Sequence, residues 1–261
     1  MSTADPRRRA LVVGGGTGLG LASAQALARD GWRVFLTGRR HAVLEDARRA
    51  IGPAVSGIQA GDATHEADVD RIVQAGVTAL GGLDALVVSA GTTSIGSVET
   101  TSRNEMLRVL STNLLPLHLF AKRALRHYPE RGGAIIAIAS VAGSVPHPAR
   151  LAYCSSKAGQ IGMVRQMALD LAERRIRVNA VSPSLVLTDL TRDVIGREAD
   201  PDATLARRTG QHPLRRLGTP EEVGSAVAYL CSEEASWVTG QDFILDGGLS
   251  LAATAAVFGQ G

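Results

Sequence analysis

The chain has 261 residues, of which 45% are hydrophobic but only 3% aromatic, and a formal charge of +3. That length is ample to bury a core, and a core so poor in rings must pack from Ala, Val, Leu and Ile, as where helices lie closely on a parallel sheet. The Arg7-Arg8-Arg9 run has no aromatic residues interleaved with it, so it reads as a solvated flank before the first strand and argues against a nucleic-acid partner.

An apolar run at 10–13 leads directly into G-G-G-T-G-L-G and then into a helical pattern at 21–29. Strand, glycine turn and helix in that order are the context a nucleotide-binding loop requires. Gly14, Gly18 and Gly20 have G-x-x-x-G-x-G spacing, and with Gly16, Thr17 and Leu19 they let the backbone approach a pyrophosphate at a helix N-terminus. In isolation a glycine cluster reads equally as a flexible turn. A second strand at 33–37 ends in Gly38-Arg39-Arg40. Dinucleotide folds place an acidic residue near this point to hold the ribose of NAD, whereas an Arg accommodates a 2′-phosphate. Arg39 and Arg40 therefore point to NADP(H) as the preferred cofactor, with NAD(H) possible; the alternative is a pair of ordinary surface charges.

A third strand at 55–60 ends in Gly61-Asp62-Ala63, and a polar helical stretch follows at 65–80. The fourth strand, 85–88, leads into Ser89-Ala90-Gly91 and then Thr92 and Thr93. A long helix is expected over 104–127, with Pro116 inside it. Proline has no N–H, so the carbonyl of Thr112 loses its helical partner and the ladder loosens beside Asn113.

The apolar run 134–139 reads as a buried parallel strand, which places Ser140 at its carboxyl end, where open α/β sheets hold their ligands. A loop containing Val145, Pro146 and His147 leads into a helix beginning near 151. Tyr153 and Lys157 are four apart and leave the same face of that helix. A phenol is a poor acid near neutral pH, with an ordinary pKa of about 10. A neighbouring ammonium favours the phenolate, and a hydroxyl from Ser140 can hold a carbonyl oxygen beside the phenol. Together these groups suit the interconversion of a ketone and an alcohol. A Y-x-x-x-K pair alone is weak, because most such pairs decorate a solvated helix. The strand-end Ser thirteen residues earlier and the glycine loop are what strengthen it.

A strand at 176–181 precedes S-P-S-L-V-L-T, and the charged, poorly periodic segment 189–212, with Gly196, Pro201 and Gly210, reads as a mobile lid. Thr219-Pro220 is an N-cap and N1 pair for the next helix, and V-T-G-Q-D-F-I-L-D-G-G supplies a last strand. Strands alternate with helices throughout, and no linker divides the chain. One α/β domain over 1–261 is expected, with a parallel sheet covered on both faces. The two cysteines, Cys154 and Cys231, make no disulfide framework, and the six histidines form no metal-ligand spacing. No signal pattern or bilayer-length apolar run is found, so a soluble, cytoplasmic protein without membrane partners or metal is expected.

The glycine loop, Ser140, Tyr153 and Lys157 together resemble the short-chain dehydrogenase/reductase family, in its shorter form, over nearly the whole chain. The resemblance implies a single-domain, Rossmann-type, doubly wound sheet of about seven strands. It implies a catalytic set of Asn113, Ser140, Tyr153 and Lys157. In that set Tyr153 is the general acid or base, and Lys157 lowers the Tyr pKa and binds the nicotinamide ribose. The backbone carbonyl of Asn113 would hold a water that links the lysine to solvent. Asp62 would contact the adenine edge, Ala63 would lie against its ring, and Ser89, Ala90 and Gly91 would lie beneath the cofactor. Pro183, Ser184, Val186 and Thr188 would surround the nicotinamide, Val186 by backbone pairing with its carboxamide. Val13, Ser89 and Ser184 depart from the family's usual Thr, Asn and Gly. Thr92, Thr93, Ser140, Val145, His147, Tyr153 and Ser184 would line a mixed substrate pocket. A homotetramer follows from the resemblance, with the apolar tail 249–261 and the last strand at a subunit contact. The expected reaction is reversible hydride transfer between NADP(H) and a ketone or secondary alcohol. A non-redox isomerase or dehydratase on the same fold, or a dinucleotide-binding regulator, are the alternatives.

Overall fold

Short runs of Val, Ile, Leu and Ala form a seven-stranded sheet in the computed structural model, which describes residues 8–252. In chain order the elements are β1 (Arg9–Val13), α1 (Gly18–Arg29), β2 (Arg33–Gly38), α2 (His41–Ile51), β3 (Val55–Ala60), α3 (Glu66–Leu80) and β4 (Ala85–Val88). These are followed by α4 (Arg103–Ala124), β5 (Gly133–Ile138), α5 (Leu151–Asp170) and β6 (Ile176–Pro183). The chain closes with α6 (Asp189–Gly196), α7 (Pro201–Gly210), α8 (Pro220–Cys231) and β7 (Asp242–Leu245). The strand order is β3-β2-β1-β4-β5-β6-β7, and every neighbouring pair is parallel.

Alternate residues of one strand feed opposite faces of the sheet, which is why its central strands are apolar throughout. Leu11, Leu86 and Ile135 join one buried cluster with Ile72, Phe120 and Val164 of α3, α4 and α5. Val12, Val87 and Ile136 join the other, with Leu27, Leu44 and Val227 of α1, α2 and α8. The order in which strands are added reverses between β1 and β4, and such a switch point opens a crevice at the carboxyl ends of the strands. The glycine loop and Ser89 both follow strands at that crevice.

Two expectations need correction. The 189–212 segment is not irregular, because it contains two helices. Thr188 caps α6 by accepting from Thr191 N, and Asp200 caps α7 by accepting from Ala203 N, with Pro201 in the first turn. No residue of α7 is buried, so it has no apolar stripe for periodicity to detect. Second, β6 extends two residues past its expected end, to Pro183. The long helix around Pro116 is as expected: α4 runs through it, starting from a Ser102 cap that accepts from Glu105 N. Residues 253–261 of the tail expected at a subunit contact lie outside the described residues. Among the described residues no helix is long and apolar enough to cross a membrane.

Candidate active site

The nucleotide cradle is built from the turn between β1 and α1. Gly14 N and Gly15 N both donate to Thr37 O, at 2.8 and 3.1 Å, which braces the loop on β2. That brace needs no hydroxyl at position 13, where Val13 is buried and packs into the core. Gly14 has φ +80°, and a Cβ on Gly20 would stand 2.1 Å from Gly14 O, so neither position admits a side chain. Thr17 is the N-cap of α1, but its side chain caps none of the first-turn N–H groups, and no acidic residue lies in that turn. Those donors are open to an anion, and the cradle therefore fits a dinucleotide pyrophosphate.

Arg39 and Arg40 are exposed at the end of β2, and among the described residues neither makes an ion pair. Asp62 is committed to a local turn, its Oδ1 accepting from Thr64 N and Thr64 Oγ1 at 2.8 and 2.7 Å. These bonds, with Arg39 nearby, hold the Asp62 carboxyl below its ordinary range. Ala63 and Ala90 lean on the core, and Ser89 N donates to Val13 O. The Ser89 hydroxyl makes no hydrogen bond to a described residue, so the bonding expected of an Asn at this position is absent.

The floor of the site is closed by Asn113, which is fully buried. Its Oδ1 accepts from Thr92 N at 2.7 Å, and its Nδ2 donates to Thr92 O at 3.0 Å and to Ser156 Oγ at 2.8 Å. Ser156 Oγ in turn donates to Tyr153 O at 2.7 Å. The Asn113 side chain thus ties the loop after β4 to the first turn of α5. Sequence reasoning assigned only its backbone carbonyl and overlooked Ser156.

Lys157 is buried, and its Nζ donates to Ile138 O at 2.9 Å and to Gln160 Oε1 at 3.0 Å. Burial lowers its pKa from 10.5 to about 8. Nζ lies 5.9 Å from the centre of the Tyr153 ring. Burial pushes the Tyr153 phenol above its ordinary value, while the Ser140 hydroxyl and the Arg150 guanidinium pull it back. Arg150 is a cation acting on the phenol that the sequence reading did not single out. Ser140 Oγ accepts from Ala142 N at 3.2 Å, which fixes the hydroxyl at the end of β5.

The opposite wall comes from the end of β6. Pro183 and Val186 are buried, and Ser184 N donates to Leu245 O at 3.0 Å. The Ser184 hydroxyl bonds Nε2 of the buried His212 at 3.0 Å. His212 Nδ1 lies 2.9 Å from Arg208 O, which only a donor can face, and in the neutral imidazole Nε2 then accepts from the Ser184 hydroxyl. Ser184 is thereby tied to the chain that follows α7. A parallel bridge joins Val186 to Gly218, and a Cβ on Gly18 would lie 3.9 Å from Thr188 Cγ2, so the glycine loop and this wall meet. Thr93 Oγ1 accepts from Arg150 Nη1 at 3.0 Å, whereas Val145 is half-buried and His147 exposed on the loop between them. A cavity of about 1050 Å³, lined by Arg8, Trp32, Arg177 and Trp237 among others, lies at the amino ends of the strands and contains none of the predicted site residues. Among the described residues no group of three or more His, Cys, Asp or Glu is placed to hold a metal ion.

A family model described as Enoyl-(Acyl carrier protein) reductase matches residues 14–250. The chain is 40% identical to a Xanthobacter autotrophicus (strain ATCC BAA-1158 / Py2) protein named Inactive 2-(S)-hydroxypropyl-CoM dehydrogenase 2, over 87% of this chain and 99% of the relative. A crystal structure of actinorhodin polyketide ketoreductase with NADPH superposes with a TM-score of 0.87 at 30% identity, covering 95% of this chain and 99% of that one. A Serratia marcescens short-chain dehydrogenase/reductase variant does so with a TM-score of 0.84 at 30% identity, covering 94% and 100%. The chain belongs to the short-chain dehydrogenase/reductase family. It is an NAD(P)-dependent oxidoreductase of that family, acting on CH–OH groups or the corresponding carbonyls.

Proposed function

We propose that the protein interconverts a ketone and a secondary alcohol in the cytoplasm with NADP(H) as the preferred cofactor, and that Tyr153 is the general acid in reduction and the general base in oxidation. The observation that carries this reading is the convergence of the Ser140 hydroxyl, the Tyr153 phenol and the buried Lys157 ammonium where β5 ends and α5 begins. Ser140 Oγ–H donates to the carbonyl oxygen and holds it beside the phenol. Tyr153 Oη–H gives its proton to that oxygen as negative charge develops there. An alkoxide is a far stronger base than a phenolate, so a phenol raised by burial still transfers its proton favourably. When bound, the cofactor supplies the hydride in reduction and takes it up in oxidation.

Lys157, at about 8, stays mostly protonated at neutral pH and provides a donor at the site floor for the ribose. The open N–H groups of α1 take the pyrophosphate, and Arg39, with Arg40 beside it, takes the 2′-phosphate through charge-assisted bonds. The exposed Phe243 and Ile244 of the edge strand β7 support a homotetramer with that strand at a subunit contact.

A relative named as inactive makes a binding-only role the second reading; Asn113, Ser140, Tyr153 and Lys157, all present here, count against it. An assay of NADPH consumption over acyl-thioester, cyclic and sugar-like ketones separates the two. Stoichiometric alcohol formation is expected. Tight NADPH binding with no turnover across the panel would return the protein to a regulatory role, and product formation without NADPH loss would make it an isomerase or dehydratase.

A further inference from the structure

We propose that Arg150 is the anchor for an anionic group on the substrate, holding a carboxylate, sulfonate or phosphate borne by the ketone whose oxygen Tyr153 protonates. The inference rests on the reaction proposed above and names the class of ketone it serves.

Arg150 is the N-cap residue of α5, three residues before Tyr153 on the same helix end. Its Nη1 donates to Thr93 Oγ1 and to Ser94 O, both at 3.0 Å, so the guanidinium is held against the loop that follows β4. Only that one nitrogen is engaged: Nε and Nη2 make no hydrogen bond to a described residue. A guanidinium carries five N–H donors in a planar fork that matches an oxyanion in pairs. Among the described residues Arg150 also has no carboxylate partner. Arg108 on the same wall is different, since its Nε and Nη2 are both spent on Glu105, at 2.8 and 2.7 Å.

The backbone around Arg150 is held in place at a cost. Ala149 adopts φ 54°, a left-handed conformation uncommon for a residue with a Cβ. It is fixed there because Gly96 N donates to Ala149 O at 2.9 Å and Leu151 N donates to Gly96 O at 3.1 Å. Strain of this kind persists where the surroundings over-determine it, and here it sets the position of the Arg150 side chain. The guanidinium also pulls the burial-raised pKa of the Tyr153 phenol back toward its ordinary value. The cofactor's own anions are served elsewhere, the pyrophosphate at the start of α1 and the 2′-phosphate at Arg39. A role confined to knitting the loops together would use only the Nη1 bonds, for which a guanidinium is unnecessary.

The test compares methyl ketones of graded chain length that end either in a sulfonate, charged at every assay pH, or in the near-isosteric, uncharged methyl sulfone. The wild type should prefer the sulfonate series in kcat/KM. Arg150→Gln should lower the sulfonate-to-sulfone ratio by about tenfold or more, the value of one lost charge-assisted pair. Arg150→Lys should keep part of that ratio. A wild-type ratio near unity, a ratio that Arg150→Gln leaves in place, or an equal fall in both series overturns the anchor while leaving the reaction standing. If no ketone consumes NADPH, the reaction itself fails, and calorimetric titration of butanesulfonate still decides the anchor. Saturable binding weakened about tenfold by Arg150→Gln supports it, and equal or absent binding in both proteins overturns it.

Discussion

At the floor of the site the polar side chains of Asn113, Ser156 and Lys157 are buried and committed to protein partners, whereas at its rim Arg39, Arg40 and Arg150 have no carboxylate partner among the described residues. The floor is shaped by the fold: its hydrogen bonds join the ends of β4 and β5 to α4 and α5, and moving any of them disturbs the core. The rim is shaped by loops and holds charge available for a ligand. Floor substitutions should therefore change the chemistry or the stability, and rim substitutions should change the choice of cofactor and substrate.

The largest effect is expected at the floor. Tyr153→Phe removes the proton but keeps the ring, and turnover should fall by at least ~100-fold with NADPH binding nearly unchanged, as steady-state kinetics and fluorescence titration would report. Near-normal turnover in that variant removes Tyr153 from the reaction.

Lys157 sharpens the contrast through stability. Burial lowers its pKa from 10.5 to about 8, so the folded protein carries the cost of a buried charge at neutral pH. The unfolded chain holds more protons between those two values, so wild-type stability rises over that window as pH rises. Lys157→Met escapes the cost, on the order of 3 kcal/mol at most from the size of that shift, and gives back part of it by stranding Ile138 O and Gln160 Oε1. Relative to the wild type the variant should be most favoured below about pH 8 and lose ground steadily up to about pH 10.5. Chemical denaturation across that range checks the trend; a gap that does not change with pH would mean the lysine is not buried as a charge.

At the rim, Arg39→Asp should erase or reverse an NADPH preference of about tenfold in kcat/KM, one decade per 1.4 kcal/mol. The chemistry at the nicotinamide end should remain. Equal values for the two cofactors in the wild type would return Arg39 to a plain surface charge. The smallest effect is expected where rim meets fold. Ser184→Gly removes the donor to His212 Nε2, at a cost of about 1 kcal/mol, and should lower Tm by roughly 2–4 °C in a chain of this size. A KM change beyond about threefold, on the same scale of 1.4 kcal/mol per decade, would instead give Ser184 a direct part in substrate fit.

The difference between floor and rim also explains what the sequence disclosed. The strands, the glycine loop, Ser140 and the Tyr153–Lys157 pair were legible because each is a local pattern: an apolar run, a turn motif, a four-residue spacing. The braces were not. Asn113 meets Ser156 across 43 positions, Arg150 meets Thr93 across 57, and Ser184 meets His212 across 28, so no local periodicity can announce them. Helix α7 escaped for a related reason, because its start was signalled by Asp200-Pro201 but none of its residues is buried.

The central claim is hydride transfer to a carbonyl carbon, and isotopic labelling tests it most directly. With NADPH deuterated at C4 of the nicotinamide and a ketone accepted in the consumption assay, each alcohol formed should carry one deuterium on its carbinol carbon, matched by one oxidised cofactor. An alcohol without that deuterium, or a product at the oxidation level of the starting ketone with NADPH intact, would contradict the account.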